Sequence, residues 1–354
     1  MIELRSDTFT LPSPAMRSAM TTAPLGDDVY AEDPTVRRLE QLAADRLGKA
    51  AACLMPSGTM ANLAALMAHA PRGAKAIVGS ESDIYLYEAA GATVCGGVSY
   101  EPVPNLPDGT LSPESIGAAF PEDDEDPQFA RVAVICLENT QNRCGGVILP
   151  DGYAACVAAL ARTRGVAVHL DGARIFNASV AGGDSPARLA EYADTVQFCL
   201  SKGLGAPIGS LVAGDEAVLA RVRRIRKLLG GGMRQAGIIA AAGIVAIEEG
   251  AERLRADHAH ARLLAEGLAT IPGVMLEQPQ TNIILFRVAA CDPAEVVRAA
   301  AAAGVALNTF GHGRIRAVTH CGITAVDVHE AVDRLTAVIA HVVPQDIGKG
   351  RRAE

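Results

Sequence analysis

The chain has 354 residues, 49% of them hydrophobic, a formal net charge of −8 and no tryptophan. That length exceeds one usual core and predicts two domains. The acidic balance leaves no electrostatic footprint for nucleic acid, and the longest apolar stretch, residues 236–247, is too short to span a bilayer. The first five residues lack signal-peptide architecture, and the eight cysteines are scattered with no CxxC pair. They are expected to be reduced thiols of a cytoplasmic protein, and no metal site is expected.

Residues 1–34 read as an irregular arm, with Pro12, Pro14 and Pro24 and a polar run from Gly26 to Pro34 that carries Tyr30. An aperiodic arm this long is expected to carry function rather than fray. Residues 35–47 have helical spacing, with Leu39 and Leu42 on one face and Gly48 as a stop. Residues 55–59 form a turn, and residues 60–69 an apolar helix. Short strands follow at 76–78 and 132–137, separated by an exposed acidic loop at 122–126. Residues 152–164 are a crossover helix. Two apolar runs, 165–170 and 195–200, read as buried parallel strands rich in β-branched or aromatic residues. The first ends in Asp171 and the second in Ser201 and Lys202.

A basic helix occupies the stretch to Arg226, and a long Ala-rich helix runs from about residue 235 towards 268. The domain change is placed within it. The remainder reads as a small α/β unit. It has strands at 282–287 and 314–319, a helix opened by Asp292, Pro293 and Glu295, and a closing helix at 327–342. Residues 345–354 are expected to fray. The expected organisation is an arm over 1–34, a large cofactor-binding domain over 35–250 and a small C-terminal domain over 251–354. The alternating pattern argues for a mostly parallel sheet covered by helices.

In open α/β sheets, ligands sit beyond the carboxyl ends of the strands. Asp171 and Lys202 are therefore delivered to one rim of one sheet. A salt bridge at a sheet edge would account for two charges alone. An acid that can face a pyridine nitrogen and an amine that can form an imine are, however, the two groups pyridoxal phosphate requires. Ser57, Gly58 and Thr59 open a helix and offer free backbone N–H groups, a glycine for close approach and two hydroxyls to a phosphate. Alone, that triplet is an ordinary helix cap; with Asp171 and Lys202 it becomes the third corner of a cofactor site. The Gly-rich stretch at 203–210 lacks the lysine of a nucleotide loop. Arg174 and Arg316 are read as carboxylate partners, since a guanidinium grips a carboxylate in two places.

Six stretches carry a family resemblance: LRSDT at 4–8, GDDVY at 26–30, PSGTMAN at 56–62, HLDGARIFNA at 169–178, SKGLGAP at 201–207 and RKLLGGGMRQ at 226–235. They are similar to the low-specificity L-threonine aldolases, and the resemblance runs from residue 4 to about residue 319. It implies an α/β protein of the aspartate-aminotransferase-like fold (fold type I), with a mostly parallel large domain and a small C-terminal α/β domain. It also implies bound pyridoxal phosphate and a homotetramer with active sites shared between subunits. By the same resemblance Lys202 forms the internal aldimine, Asp171 pairs with the ring nitrogen, and Ser57, Gly58 and Thr59 hold the phosphate. Arg174, Arg316 and Ser6 hold the substrate carboxylate, while Tyr30, Lys227 and Arg234 reach a neighbouring subunit's site. The family cleaves a β-hydroxy amino acid to glycine and an aldehyde, with the electrons flowing into the ring as a quinonoid.

Two positions depart from the family pattern. Asp83 and Gln141 stand where the family writes histidines near the reacting hydroxyl. Histidine is the natural base near neutral pH, and an amide cannot take a proton. Asp83 and Gln141 are therefore taken as the residues that set the reaction, with Tyr87 as a substrate contact. A retro-aldol cleavage is the first reading. Racemisation or β-elimination on the same cofactor is a second, and a non-catalytic binding protein is a third, which Lys202, Asp171 and the phosphate turn weigh against.

Overall fold

The computed structural model describes residues 1–123 and 125–343, so the expected frayed tail at 345–354 lies outside the described residues. The chain forms two compact units, Thr10–Leu254 and Met1–Phe9 with Arg255–Glu354.

A seven-stranded sheet organises the larger unit. In spatial order its strands are Ala51–Met55, Ser210–Gly214, Thr195–Cys199, Ala167–Asp171, Val132–Glu138, Lys75–Gly79 and Ser99–Val103. Six point one way; Ser210–Gly214 alone runs against both neighbours. The two strands that carry the predicted site lie side by side and parallel, with His169 opposite Thr195 and Asp171 opposite Gln197.

Alternation along these strands sorts their side chains. Val168, Leu170, Val196 and Phe198 join the main apolar core with Leu39 and Leu47 of the Pro34–Leu47 helix. Each fully buried side chain of this kind contributes about 1.5–3 kcal/mol. His169, Asp171, Thr195 and Gln197 fall on the opposite face and are buried too. The Gly58–His69 helix meets that polar face through Asn62 and His69, two turns apart on one side of the helix.

Residues 1–34 are more regular than the sequence suggests. A helix spans Pro14–Thr22, with Ser13 as N-cap accepting from the Met16 amide at 3.2 Å and Pro14 in the first turn. The serine–proline start signal is present in the sequence, but the neighbouring prolines mask it. Ile2–Glu3 pairs in parallel with Val305–Ala306, so residues 1–9 cluster with the C-terminal part and the rest of the expected arm belongs to the larger unit. The strand Ala51–Met55 has no counterpart in the sequence reading. Its register with Ser210–Gly214 joins residues about 160 apart, which no local pattern announces.

The second unit has its own core, including Leu4, Phe286, Ile315 and Leu335. Its four-stranded antiparallel sheet follows the order Asn308–Thr309, Ile315–Val318, Ile283–Val288 and Val274–Leu276. Asp292 caps the Pro293–Ala302 helix by accepting from the Ala294 amide at 3.0 Å. Among the described residues no helix is long and apolar enough to cross a membrane, and no cluster of His, Cys, Asp and Glu could hold a metal ion. All eight cysteines are free thiols.

Candidate active site

Three strand ends build the site in the larger unit. Glu138, Asp171 and Gln197 are register partners across adjacent parallel strands. Gly172 lets the chain leave the sheet closely: its amide donates to the Gln197 carbonyl at 2.8 Å, and a Cβ there would lie 2.8 Å from the same oxygen. Beyond Thr195–Cys199 the chain forms loop 200–209, closed by Cys199 opposite Ser210. Lys202 sits in this loop. Its carbonyl accepts from Thr10 Oγ1 and from the Gly205 amide, both at 2.9 Å, which fixes the backbone. The half-buried side chain of Lys202 has an amine that makes no hydrogen bond among the described residues.

The Asp171 carboxylate is held by three donors. Oδ1 accepts from Gln197 Nε2 at 2.5 Å and from the Ala173 amide at 3.0 Å; Oδ2 accepts from Asn62 Nδ2 at 2.9 Å. The second Asn62 amide hydrogen goes to Glu88 Oε1 at 2.8 Å. Burial raises the Asp171 carboxyl above its usual range, against the charge of Lys202 and the pull of its donors. Burial, with Asp171 second, pushes Glu88 up to about 9. Glu138 rises for the same reasons, with Asp83 and Asp171 as its charged neighbours. Burial works against the Lys202 ammonium, but Cys199, Asp83 and Asp171 more than offset it, and its value is raised. Arg174, buried at the head of the Ile175–Gly182 helix, opposes them. The cluster thus has more carboxyl groups than cations and favours an added positive charge beside Asp171. A protonated pyridine nitrogen is such a charge, so these residues fit pyridoxal phosphate.

At the phosphate corner, Ser57 caps the Gly58–His69 helix, its hydroxyl accepting from the Met60 amide at 3.2 Å. A Cβ on Gly58 would lie 2.9 Å from Cys199 Sγ. The glycine therefore lets the helix start press against the strand that leads to Lys202, a packing reason that the sequence does not reveal.

Glu138 organises the other side. Its Oε2 accepts from the Asp83 amide at 2.8 Å and its Oε1 from the Asn142 amide at 2.9 Å. Asp83 Oδ1 in turn accepts from Asn142 Nδ2 at 2.9 Å. Gln141 is fully buried, with Nε2 donating to the Glu81 carbonyl at 2.7 Å and Oε1 accepting from the Cys144 amide at 2.6 Å. Both ends of the Gln141 side chain are thus tied into the loop. Exposed Tyr87 accepts a hydrogen bond from Arg143 Nη1 at 3.0 Å through its hydroxyl.

Tyr30, Lys227 and Arg234 form a separate exposed group. Arg234 pairs with Asp27 at 2.9 Å and its guanidinium lies 5.9 Å from the Tyr30 ring centre, while Tyr30 is 72% exposed. Beneath them Arg226 and Asp28 form a buried ion pair at 2.9 Å. Ser6 and Arg316 lie in the other unit. There the Ser6 hydroxyl accepts from the Thr8 amide at 3.2 Å, and Arg316 donates to the Arg5 carbonyl at 3.1 Å over the Phe310 ring.

Sequence reasoning missed Asn62, Gln197, Glu88 and Glu138. A signal existed for two of them. Asn62 is one helical turn past Gly58, and Gln197 ends the polar alternation Thr195, Gln197, Cys199 on a buried strand.

Glu88 gives a pH-dependent expectation. Between the ordinary 4.5 and about 9 the folded protein keeps a proton that the unfolded chain has released. Stability therefore falls as pH rises through that window. Glu88→Gln keeps an acceptor for Asn62 and removes the titration. Urea unfolding at pH 5 and pH 9 should show a smaller loss for the variant than for the unaltered protein. Equal losses would mean that Glu88 titrates as an ordinary carboxylate.

A family model described as beta-eliminating lyase matches residues 3–291. The chain is 42% identical over 340 residues to the low specificity L-threonine aldolase of Escherichia coli (strain K12), covering 96% of this chain and 100% of that one. Its fold is similar to a solved threonine aldolase from Leishmania major, with TM-score 0.79 and 19% identity over 96% of this chain and 100% of that chain. It is also similar to a structure of SPT with PLP, with TM-score 0.75 and 18% identity over 96% of this chain and 88% of that chain.

Proposed function

The chain belongs to the low-specificity L-threonine aldolase family, and from that premise we propose that it cleaves a β-hydroxy amino acid such as L-threonine or L-allo-threonine to glycine and an aldehyde, with pyridoxal phosphate held at Lys202. The observation that carries this reading is the Lys202 amine, without a hydrogen bond among the described residues, in the same carboxyl-rich cluster as the triply held Asp171. When bound, the cofactor supplies an electrophilic aldehyde carbon and a conjugated ring that takes up the electron pair of the broken Cα–Cβ bond.

The chain's own groups do the rest. Lys202 Nζ is the point of covalent attachment. Asp171 would pair with the ring nitrogen of the bound cofactor and hold it protonated, with Asn62 donating to Asp171 Oδ2. The N-terminus of the Gly58–His69 helix, with Ser57 and Thr59, binds the phosphate through backbone N–H groups and the helix dipole. Arg174 grips the substrate carboxylate. Asp83 takes the proton of the β-hydroxyl on Oδ2, while Asn142 holds Oδ1 and Glu138 holds the Asp83 amide. Gln141 shapes this loop and has no share in proton transfer.

Incubating the loaded protein with a panel of β-hydroxy amino acids and with alanine tests this. Glycine and the matching aldehyde are the expected products, and Asp83→Ala should lower their release by about 100-fold or more. A keto acid or racemised alanine without glycine would overturn the reading.

Tyr30, Lys227 and Arg234 are proposed to serve a neighbouring subunit's site in a homotetramer. Supporting this are the exposure of Tyr30 and Leu228, at 72% and 75%, and the anchoring of the Asp27–Tyr30 segment by Arg226 and Arg234. An active, cofactor-loaded monomer in sedimentation would contradict it.

A further inference from the structure

Under the Gly58–His69 helix runs a buried chain of polar side chains that the reaction above does not use. His69 Nε2 lies 2.9 Å from Thr195 Oγ1, Thr195 Oγ1 2.8 Å from His169 Nδ1, and His169 Nε2 3.0 Å from Asn62 Oδ1. Asn62 Nδ2 then reaches both Asp171 and Glu88. Thr195 and His169 are fully buried, and Asn62 is 1% exposed.

The donors and acceptors around Asp171 favour one direction. Asp171 takes donors on both oxygens, so Asn62 Nδ2 faces it, and the Asn62 carbonyl oxygen faces His169 and accepts. His169 then carries its proton on Nε2, and its Nδ1 must accept from the Thr195 hydroxyl. With its hydrogen committed there, Thr195 Oγ1 accepts from His69 Nε2. Every bond points from His69 towards Asp171. Aligned donors of this kind polarise one another in a low-dielectric interior. Burial holds His169 down to about 3, so the ring stays neutral as this order requires.

We propose that Thr195 and His169 are positioning residues for Asp171: they lock the Asn62 amide so that a donor, not an oxygen, faces Asp171 Oδ2. This rests on the assignment of Asp171 to the cofactor's ring nitrogen. Without the threonine hydroxyl, His169 can move its proton to Nδ1. Its bare Nε2 then favours a flipped Asn62, whose carbonyl oxygen would confront the Asp171 carboxylate. Asp171 then loses one of its three donors, and the cofactor would lose affinity.

Two measurements on the loaded protein test the idea. The first is nitrogen NMR of the protein carrying labelled histidine, with His169→Gln used to assign its signal. A neutral ring protonated on Nε2 from pH 5 to pH 9 is expected; a charged ring or an Nδ1 proton overturns the proposal. The second is the cofactor dissociation constant of Thr195→Val and Thr195→Ser. We expect the valine variant to bind about tenfold more weakly, as loss of an orienting partner does at ligand sites, and the serine variant to match the unaltered protein. Serine keeps the hydroxyl even if valine disturbs folding, so a serine variant as weak as valine, or a valine variant that binds normally, overturns the proposal. An unaltered protein that shows no visible band with pyridoxal phosphate fails the cofactor assignment itself, and the inference with it; a normal band with unaffected variants fails the inference alone.

Discussion

Lys202→Ala is expected to abolish the visible band that borohydride reduces and to lower glycine release by about a thousandfold or more, with the fold intact. Lys202 Nζ is the amine in the cluster around Asp171, and no hydrogen bond among the described residues depends on it. Removing it takes away the proposed point of covalent attachment and a proton carrier together. The fold tolerates the change because the loop is fixed through its backbone, by Thr10, Gly205 and the Leu200–Gly209 pairing. Absorbance before and after borohydride, circular dichroism and a glycine assay together check this. A borohydride-reducible band that persists in the variant would move the attachment point elsewhere.

The largest stability effect is expected from Arg226→Met. Arg226 is 4% exposed, pairs with Asp28 at 2.9 Å and donates to the Leu54 carbonyl at 2.8 Å. Removing one partner of a buried ion pair leaves the other charge uncompensated, a loss of about 3–5 kcal/mol. Burial already raises the Asp28 carboxyl, with Arg226 as the main opposing charge. Denaturant unfolding at neutral pH measures the loss, and combining Arg226→Met with Asp28→Asn should recover part of it. A loss under about 1 kcal/mol would show the pair to be no better than an exposed one.

Much of this architecture is legible in the sequence because it is written in local patterns. Apolar runs marked the two central strands, and Asp171 and Lys202 could be placed at their ends by strand polarity alone. Gly48 ended the Pro34–Leu47 helix as read, in the left-handed conformation that glycine favours. What stayed hidden depends on contacts between distant segments. The strand Ala51–Met55 is defined by its pairing with Ser210–Gly214, and the Ile2–Glu3 strand by its pairing with Val305–Ala306. The roles of Asn62 and Glu88 emerge only when a helix and a turn converge on Asp171. Gln141 stands where the family writes histidine, and the binding of both its ends within the loop emerges only from the folded chain.

The reversed strand Ser210–Gly214 bears on the order in which the site assembles. Because it doubles back on Thr195–Cys199, the lysine loop is a hairpin whose closing contacts span only residues 199–210. Hairpins form in about 1–10 μs, far ahead of pairings that must first close long loops. Two of the three Asp171 donors come from further away along the chain: Gln197 is 26 residues distant and Asn62 is 109. The Lys202 backbone can thus take its final form early in folding, and the surroundings of Asp171 are completed only when the helix bearing Asn62 docks.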